Sequence, residues 1–229
     1  MTSLVLASAS PRRRELLGLL GLPFSVVATE IPETPQVGES PQGVAVRLSR
    51  AKARVAHARL ATRAIGDAHT VIIGCDTVVA LGDQILGKPV DAAEAWDMLQ
   101  RLRNRWHTVY TGLALICALD GEQLTDVAAT QVHMRDYTEE EIAAYIATGD
   151  PFDKAGAYAI QHAGFHPVSE IRGSYANVVG LPLCHLVRCL RRWRIEPRAD
   201  VPAICEVHTG HTCYAHREIL TGHNNGSRI

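Results

Sequence analysis

Thr70-Val71-Ile72-Ile73-Gly74-Cys75-Asp76-Thr77-Val78-Val79-Ala80-Leu81 is a run apolar enough for a β-strand buried on both faces, interrupted by one carboxylate. Gly82-Asp83 then supplies a hairpin turn. A charged side chain inside such a strand is expensive to bury without a partner, so Asp76 is expected to face a cleft. There it suits a metal ligand or a general base, because a carboxylate either holds a divalent cation or takes a proton from water. A capped turn or an internal salt bridge fits the same position.

Toward the N-terminus, Leu4 to Leu6 reads as a short strand that leaves through Ala7-Ser8-Ala9-Ser10 into a helix opening Pro11-Arg12-Arg13-Arg14-Glu15. Ser10 suits the cap and Pro11 the first position. Free amides already make a helix N-terminus positive, so each arginine there costs about 0.3–1 kcal/mol unless an anion is near. A phosphate is the natural missing partner, and the alternative is a solvated basic turn. Pro23 to Ala28 reads as a second strand, Thr29 to Glu39 as a loop, and Ser40-Pro41 as the start of a long helix. Val44, Leu48, Ala51, Val55 and Ala58 are expected to form its buried stripe. Arg47, Arg50, Lys52, Arg54, Arg59 and Arg63 make it basic, with no acid from 40 to 63.

Toward the C-terminus, Asp91 and Glu94 form a capping-box pattern for a helix to about Arg103, followed by a strand from His107 to Ala118. Asp120-Gly121 turns the chain into a returning strand, Gln123 to Arg135. Thr138 and Glu141 cap another helix that Gly149 is placed to end. Pro151 to Gly164 reads as an irregular functional loop, Pro167 to Ile171 as a strand, and Leu183 to Trp193 as the last helix. Pro197 and Pro202 mark the end of compact structure. Hairpins in the middle and helices between the first strands imply an α/β fold. Its mixed sheet is flanked by helices and divided into two lobes around a central cleft, with residues 1–197 as the domain and 198–229 as a flexible extension.

The 229 residues are 47% hydrophobic and 21% charged, with a formal net charge of −1, which leaves no global basic field for non-specific nucleic-acid binding. With only 5% aromatic residues for stacking, a nucleic-acid role for the basic helix is disfavoured. No stretch approaches 18 uninterrupted apolar residues and Met1-Thr2-Ser3-Leu4 opens no signal-peptide pattern, so a cytoplasmic protein off the membrane is expected. The six cysteines lack the spacing of a secreted disulfide scaffold, and reduced thiols are expected. In the tail, Cys205, His208, His211, Cys213 and His216 are zinc-type ligands, yet they lack the two separated ligand pairs of a zinc finger.

Glu33, in the proline-bounded loop, is a candidate second oxygen ligand beside Asp76, or a solvated loop acid. Lys52 and Lys88, the latter fixed in Gly87-Lys88-Pro89, offer point charges from separate elements. Asp153-Lys154-Ala155-Gly156-Ala157-Tyr158-Ala159-Ile160-Gln161 mixes opposite charges, small residues and an amide, a composition suited to the edge of a base pocket. Gln161 suits the carbonyl and N–H edge of a pyrimidine, and equally suits backbone groups.

In combination, Leu6 to Arg13, Gly74 to Val79, Gly87-Lys88-Pro89, Tyr110-Thr111-Gly112, Asp153 to Gln161 and Gly173 to Pro182 resemble the Maf family of nucleotide pyrophosphatases over about residues 3 to 194. The resemblance implies a Maf/ITPase-like architecture, hydrolysis of nucleoside triphosphates to monophosphate and pyrophosphate, and a divalent cation, Mg²⁺, Mn²⁺ or Co²⁺. It implies Ser8, Arg13, Lys52 and Lys88 at the phosphates, Glu33 with Asp76 at the metal, and Asp76 as the residue activating water. Arg12, Thr77 and Gln161 match the branch acting on dTTP and UTP and differ from the branch acting on 7-methyl-GTP. The family also suggests a homodimer, and the alternative readings it offers are a nucleotide-binding regulator, from its association with arrest of septum formation, and a 7-methyl-GTP pyrophosphatase. Cys75, where Ala or Ser is usual, is a candidate reactive thiol if it lies near the metal.

Overall fold

The computed structural model describes residues 3–61 and 70–222. Arg63 of the basic helix and positions 223–229 of the expected extension lie outside the described residues. In chain order the elements are β1 (Ser3–Leu6), α1 (Pro11–Gly18), β2 (Phe24–Val26), α2 (Pro41–Ala61), β3 (Thr70–Leu81), β4 (Gln84–Leu86), α3 (Ala92–Leu102), β5 (Trp106–Cys117) and β6 (Gln123–Met134). There follow α4 (Glu139–Ala147), two 3-10 turns (Asp150–Asp153 and Ala155–Ala157), β7 (Val168–Arg172), α5 (Tyr175–Val179), α6 (Leu183–Arg191), α7 (Val201–Thr209) and α8 (His216–Thr221).

Among the described residues the strands form one mixed sheet in the order β2-β1-β3-β5-β6-β7, with β4 paired to the far end of β3. β1 runs parallel to both its neighbours, and every other pair is antiparallel. Side chains alternate faces along each strand. Leu4, Leu6, Val71, Ile73, Cys75, Leu113 and Leu115 therefore pack with α1, α6 and α7, while Val5, Ala7, Ile72, Ala114 and Ile116 pack with Ala53 and Ala56 of α2. Farther along the sheet Val79, Val109, Val132 and Met134 make another core with α3 and α4. The expected two lobes thus take the form of separate cores on one continuous sheet.

Pairing along one edge of β3 is discontinuous. β1 covers Thr70 to Ile73 and β4 covers Val79 to Leu81, so the edge between them, which includes Asp76, is left open. The carboxyl end of a parallel strand followed by a helix N-terminus lies beside that gap, an arrangement that favours ligand binding in open α/β sheets.

The buried face of α2 is not the stripe of largest apolar residues. Val44 and Leu48 are buried, but so are Ala45, Ser49, Lys52, Ala53 and Ala56, whereas Ala51 and Val55 are half-buried and Ala58 is exposed. Close approach explains the rotation: a Cβ on Gly74 would strike the backbone at Ser49 and Ala53, and one on Gly112 would strike Ala45. Small residues on the helix and glycines on β3 and β5 bring the two backbones into contact, and this turns Lys52 inward.

Three other expectations change. Asp91 caps α3 by accepting from Glu94 N, but the Glu94 carboxylate accepts from Val90 N, one residue short of a reciprocal box. The short helix α5, capped by Ser174, occupies Tyr175–Val179, between the expected strand and the expected last helix, where no element was expected. Beyond Pro197, α7 places Val201 and Cys205 in the core beside α1, and Arg188 holds α8 by donating to Ile219 O at 3.1 Å. Among the described residues no helix is long and apolar enough to cross a membrane.

Candidate active site

Arg13 projects from the first turn of α1, whose start is fixed by Ser10 accepting from Arg13 N. Its guanidinium is held by three bonds to protein: Nε donates to Gly180 O at 2.9 Å, Nη2 to Thr77 Oγ1 at 3.0 Å and Nη1 to Ser8 Oγ at 3.3 Å, which leaves one N–H on each terminal nitrogen for a ligand. The fork is held flat and faces the cleft before any ligand arrives. Gly180 has φ +121, and a Cβ there would sit 3.4 Å from both Arg13 Nε and Thr77 Oγ1, so this carbonyl reaches the arginine best from a glycine.

Thr111 donates to Asn177 O at 3.2 Å, which spends its single proton and makes Thr77 the donor in the 3.0 Å bond between their hydroxyls. Thr77 therefore accepts from Arg13 and donates to Thr111. Most of its capacity goes into orienting the arginine.

On the opposite face of β3, Asp76 and Lys52 are both buried and paired at 2.5 Å, and the same ammonium reaches Glu33 at 2.6 Å. Burial pushes the Asp76 carboxyl above the usual range, against the opposing pull of Lys52 and Arg13. Half-burial would raise Glu33 as well, but Lys52, Lys88 and Arg13 hold it below its ordinary value. The internal salt bridge and the cleft-facing acid, posed as alternatives from sequence, are thus the same residue.

Two carboxylates meeting at one nitrogen are hard oxygen donors close enough to share a cation, and magnesium is commonly held by one or two carboxylates together with substrate phosphates. A triphosphate also brings more negative charge than Arg13, Lys52 and Lys88 offset beside Asp76 and Glu33. The residues present fit a divalent cation shared with such a ligand.

At the far end of the cleft Arg12 Nη2 reaches Asp153 Oδ2 at 3.4 Å, and Asp153 is held in turn by Lys154 at 2.5 Å. Tyr158 lines the wall with its hydroxyl turned to His107 Nε2 at 2.7 Å. The exposed Gln161 stands at the rim.

One cavity is lined by Arg12, Arg13, Glu33, Lys52, Asp76, Thr77, Lys88 and Gln161. It wraps the open edge of β3, which is how Asp76 and Thr77, on opposite faces of one strand, both reach it. Ser8 does not line it; its hydroxyl accepts from Arg13 and from Ser10 N at 3.2 Å, behind the arginine. Cys75 points away into the core, where burial pushes its thiol up, so the expected reactivity is corrected: Asp76, the acid it was expected to lie near, faces the other side of the strand. Sequence reasoning missed Gly180 as the anchor of Arg13 and Lys154 as the anchor of Asp153. The quoted Gly173–Pro182 and Asp153–Gln161 stretches contained both residues, but only the folded chain shows what they bond.

Residues 3–193 match the Maf-like protein family. A dTTP/UTP pyrophosphatase of Syntrophotalea carbinolica is 47% identical over 191 residues, covering 83% of this chain and 84% of the relative. Proteins of the same name from Geobacter sulfurreducens and Bacillus cereus are 48% and 42% identical, covering 82% and 86% of this chain and 95% and 98% of their own.

Proposed function

The chain belongs to the Maf-like protein family, and from that premise we propose that it is a hydrolase releasing pyrophosphate from dTTP and UTP. Release of pyrophosphate from a triphosphate requires cleavage of the bridge between the α and β phosphorus atoms; in this reading water attacks the α phosphorus, the bond from it to the bridging oxygen breaks, and pyrophosphate leaves with that oxygen. The observation that carries this reading is the meeting of Arg13 and Asp76 in one cleft that Lys52, Glu33 and Lys88 also line.

In this reading Arg13 and Lys88 bind the phosphate chain, and Lys52 adds a buried charge against which phosphoryl negative charge is spread. Asp76 receives the proton of the attacking water and holds that water in line. Its raised pKa brings a carboxylate closer to the working pH of a general base, while the Lys52 charge opposes the rise. Glu33 and Asp76 would hold a divalent cation, Mg²⁺, Mn²⁺ or Co²⁺, which when bound neutralises phosphate charge. Gln161 donates and accepts at the edge of a pyrimidine, and Arg12 closes the same end through Asp153.

The test is a pyrophosphate-release screen over dTTP, UTP, dCTP, GTP and 7-methyl-GTP with each cation added singly. The expected ranking puts dTTP and UTP first. Equal kcat/KM across the set, or 7-methyl-GTP in front, would refute the base assignment.

A further inference from the structure

Tyr145 lies in α4, is 2% exposed and does not line the cleft, yet it touches the chain on both sides of Gln161. Its hydroxyl accepts from Ala159 N at 3.0 Å, two residues before the glutamine. Its ring meets the His162 ring edge-on at 4.7 Å between centroids, one residue after. The turn between these contacts is closed by His162 N donating to Ala159 O at 3.1 Å, and His162 Nδ1 accepts from Phe165 N at 2.9 Å. Phe165 stacks on the Tyr145 ring at 4.4 Å and 14°, which fixes the ring plane.

The same hydroxyl donates to Asp150 Oδ2 at 2.7 Å. Lys154, 7% exposed, gives its three protons to Asp150 O at 2.5 Å, Asp150 Oδ1 at 2.8 Å and Asp153 Oδ1 at 2.5 Å. An ammonium has three donors, so Lys154 keeps none for a ligand although it borders the cavity. It is a clamp across Asp150 and Asp153, and Gly156 N ties the following turn to Gly87 O at 2.9 Å, next to Lys88. Burial pushes the Tyr145 phenol up, and its bond to Asp150 pushes the same way, so it stays protonated and keeps donating.

We propose that Tyr145 is the positioning residue for base selection: from outside the cleft it brackets Gln161 at Ala159 and His162 and holds the amide in the register that reads the base. This rests on the assignment of Gln161 to the base. Removing the hydroxyl frees Ala159 N and loosens the turn, while the ring packing that supports the fold remains.

The experiment is a double-mutant cycle on the full chain with Tyr145→Phe and Gln161→Ala. It is read as calorimetric Kd for the two α,β-methylene triphosphate analogues that the wild type binds most and least tightly, beside kcat and KM for the natural triphosphates. Tyr145→Phe is expected to cut the affinity ratio about five- to tenfold, the scale of one lost hydrogen bond, with kcat for the preferred substrate within about twofold. In the Gln161→Ala background the same change is expected to leave the ratio unmoved. An equal loss for both analogues, or an undiminished loss without Gln161, overturns the proposal. Asp150→Asn, which leaves Tyr145 in place and weakens the clamp, is expected to shift the ratio in the same direction and serves if Tyr145→Phe fails to fold. A wild type that prefers a purine, or turns over none of the triphosphates, refutes the pyrimidine hydrolase reading, whereas the cycle in Kd still decides Tyr145.

Discussion

At one end of the cleft Arg13, Thr77, Asp76 and Lys52 stand on helices and strands and bond one another directly. At the other end Gln161 stands on a loop whose shape comes from a chain of ion pairs and a tyrosine hydroxyl outside the cavity. Regular elements packed at interior density have little room to adjust, while a loop held by polar contacts changes shape at low cost. The proposed function thus puts the chemistry common to all triphosphates on the rigid side and the choice of base on the adjustable one. The bridge between them is thin: Arg12 and Asp153 meet at 3.4 Å with side chains 32% and 68% exposed.

The comparison breaks most sharply if the rigid end does not carry turnover. Asp76→Asn keeps the shape of the side chain and leaves Lys52 paired with Glu33, so folding is expected to be undisturbed while kcat falls about 10²–10⁴-fold. Steady-state pyrophosphate release checks this, and a loss below about tenfold would remove Asp76 as the base. Next in size is Lys52→Met. It leaves a buried carboxylate without its counter-charge, a loss of about 3–5 kcal/mol in chemical denaturation, and it should move the acid limb of the pH–rate profile upward. Arg12→Ala is the matched control at the other end. Its exposed pair contributes less than about 1 kcal/mol, and comparable losses at both ends would erase the contrast.

The two ends also differ in how much of them the sequence discloses. Asp76 stands out because a charge in an apolar strand conflicts with its surroundings, and Ser10-Pro11 marks the start of the helix that aims Arg13. Both signals are local. The inward turn of Lys52 is not local: it follows from contact between Gly74, Gly112 and the α2 backbone, residues 22 and more positions away in sequence, so hydrophobic spacing alone selected Val55 and Ala51 instead. Tyr145 gave no signal at all, since a tyrosine at helical spacing reads as core, and its hydroxyl bonds become visible only once Asp150 and Ala159 are brought to it. The strands were legible nearly to the residue, whereas α5 was hidden by its five-residue length and α7 by prolines that suggested an ending.

The last prediction sharpens the comparison through pH. His107, beneath the base end, is 3% exposed and bonded to Tyr158, and burial pushes its pKa down from 6.5 to about 4, with His133 adding to the effect. The folded state therefore resists a proton that the unfolded chain accepts. Stability from this group is complete above about pH 6.5, falls as pH drops from there toward 4, and levels off once the folded form is protonated too, a span on the order of 3 kcal/mol. His185, also lowered to about 4, contributes over the same window, so the isolating measurement is the difference between wild type and His107→Gln in urea denaturation across pH 4 to 7. The variant is expected to show a shallower acid slope, because glutamine offers Tyr158 a polar partner that does not titrate. An unchanged slope would mean that the wall of the base end opens to water before His107 must be charged, and the loop side would then be softer than its ion pairs and tyrosine bonds imply.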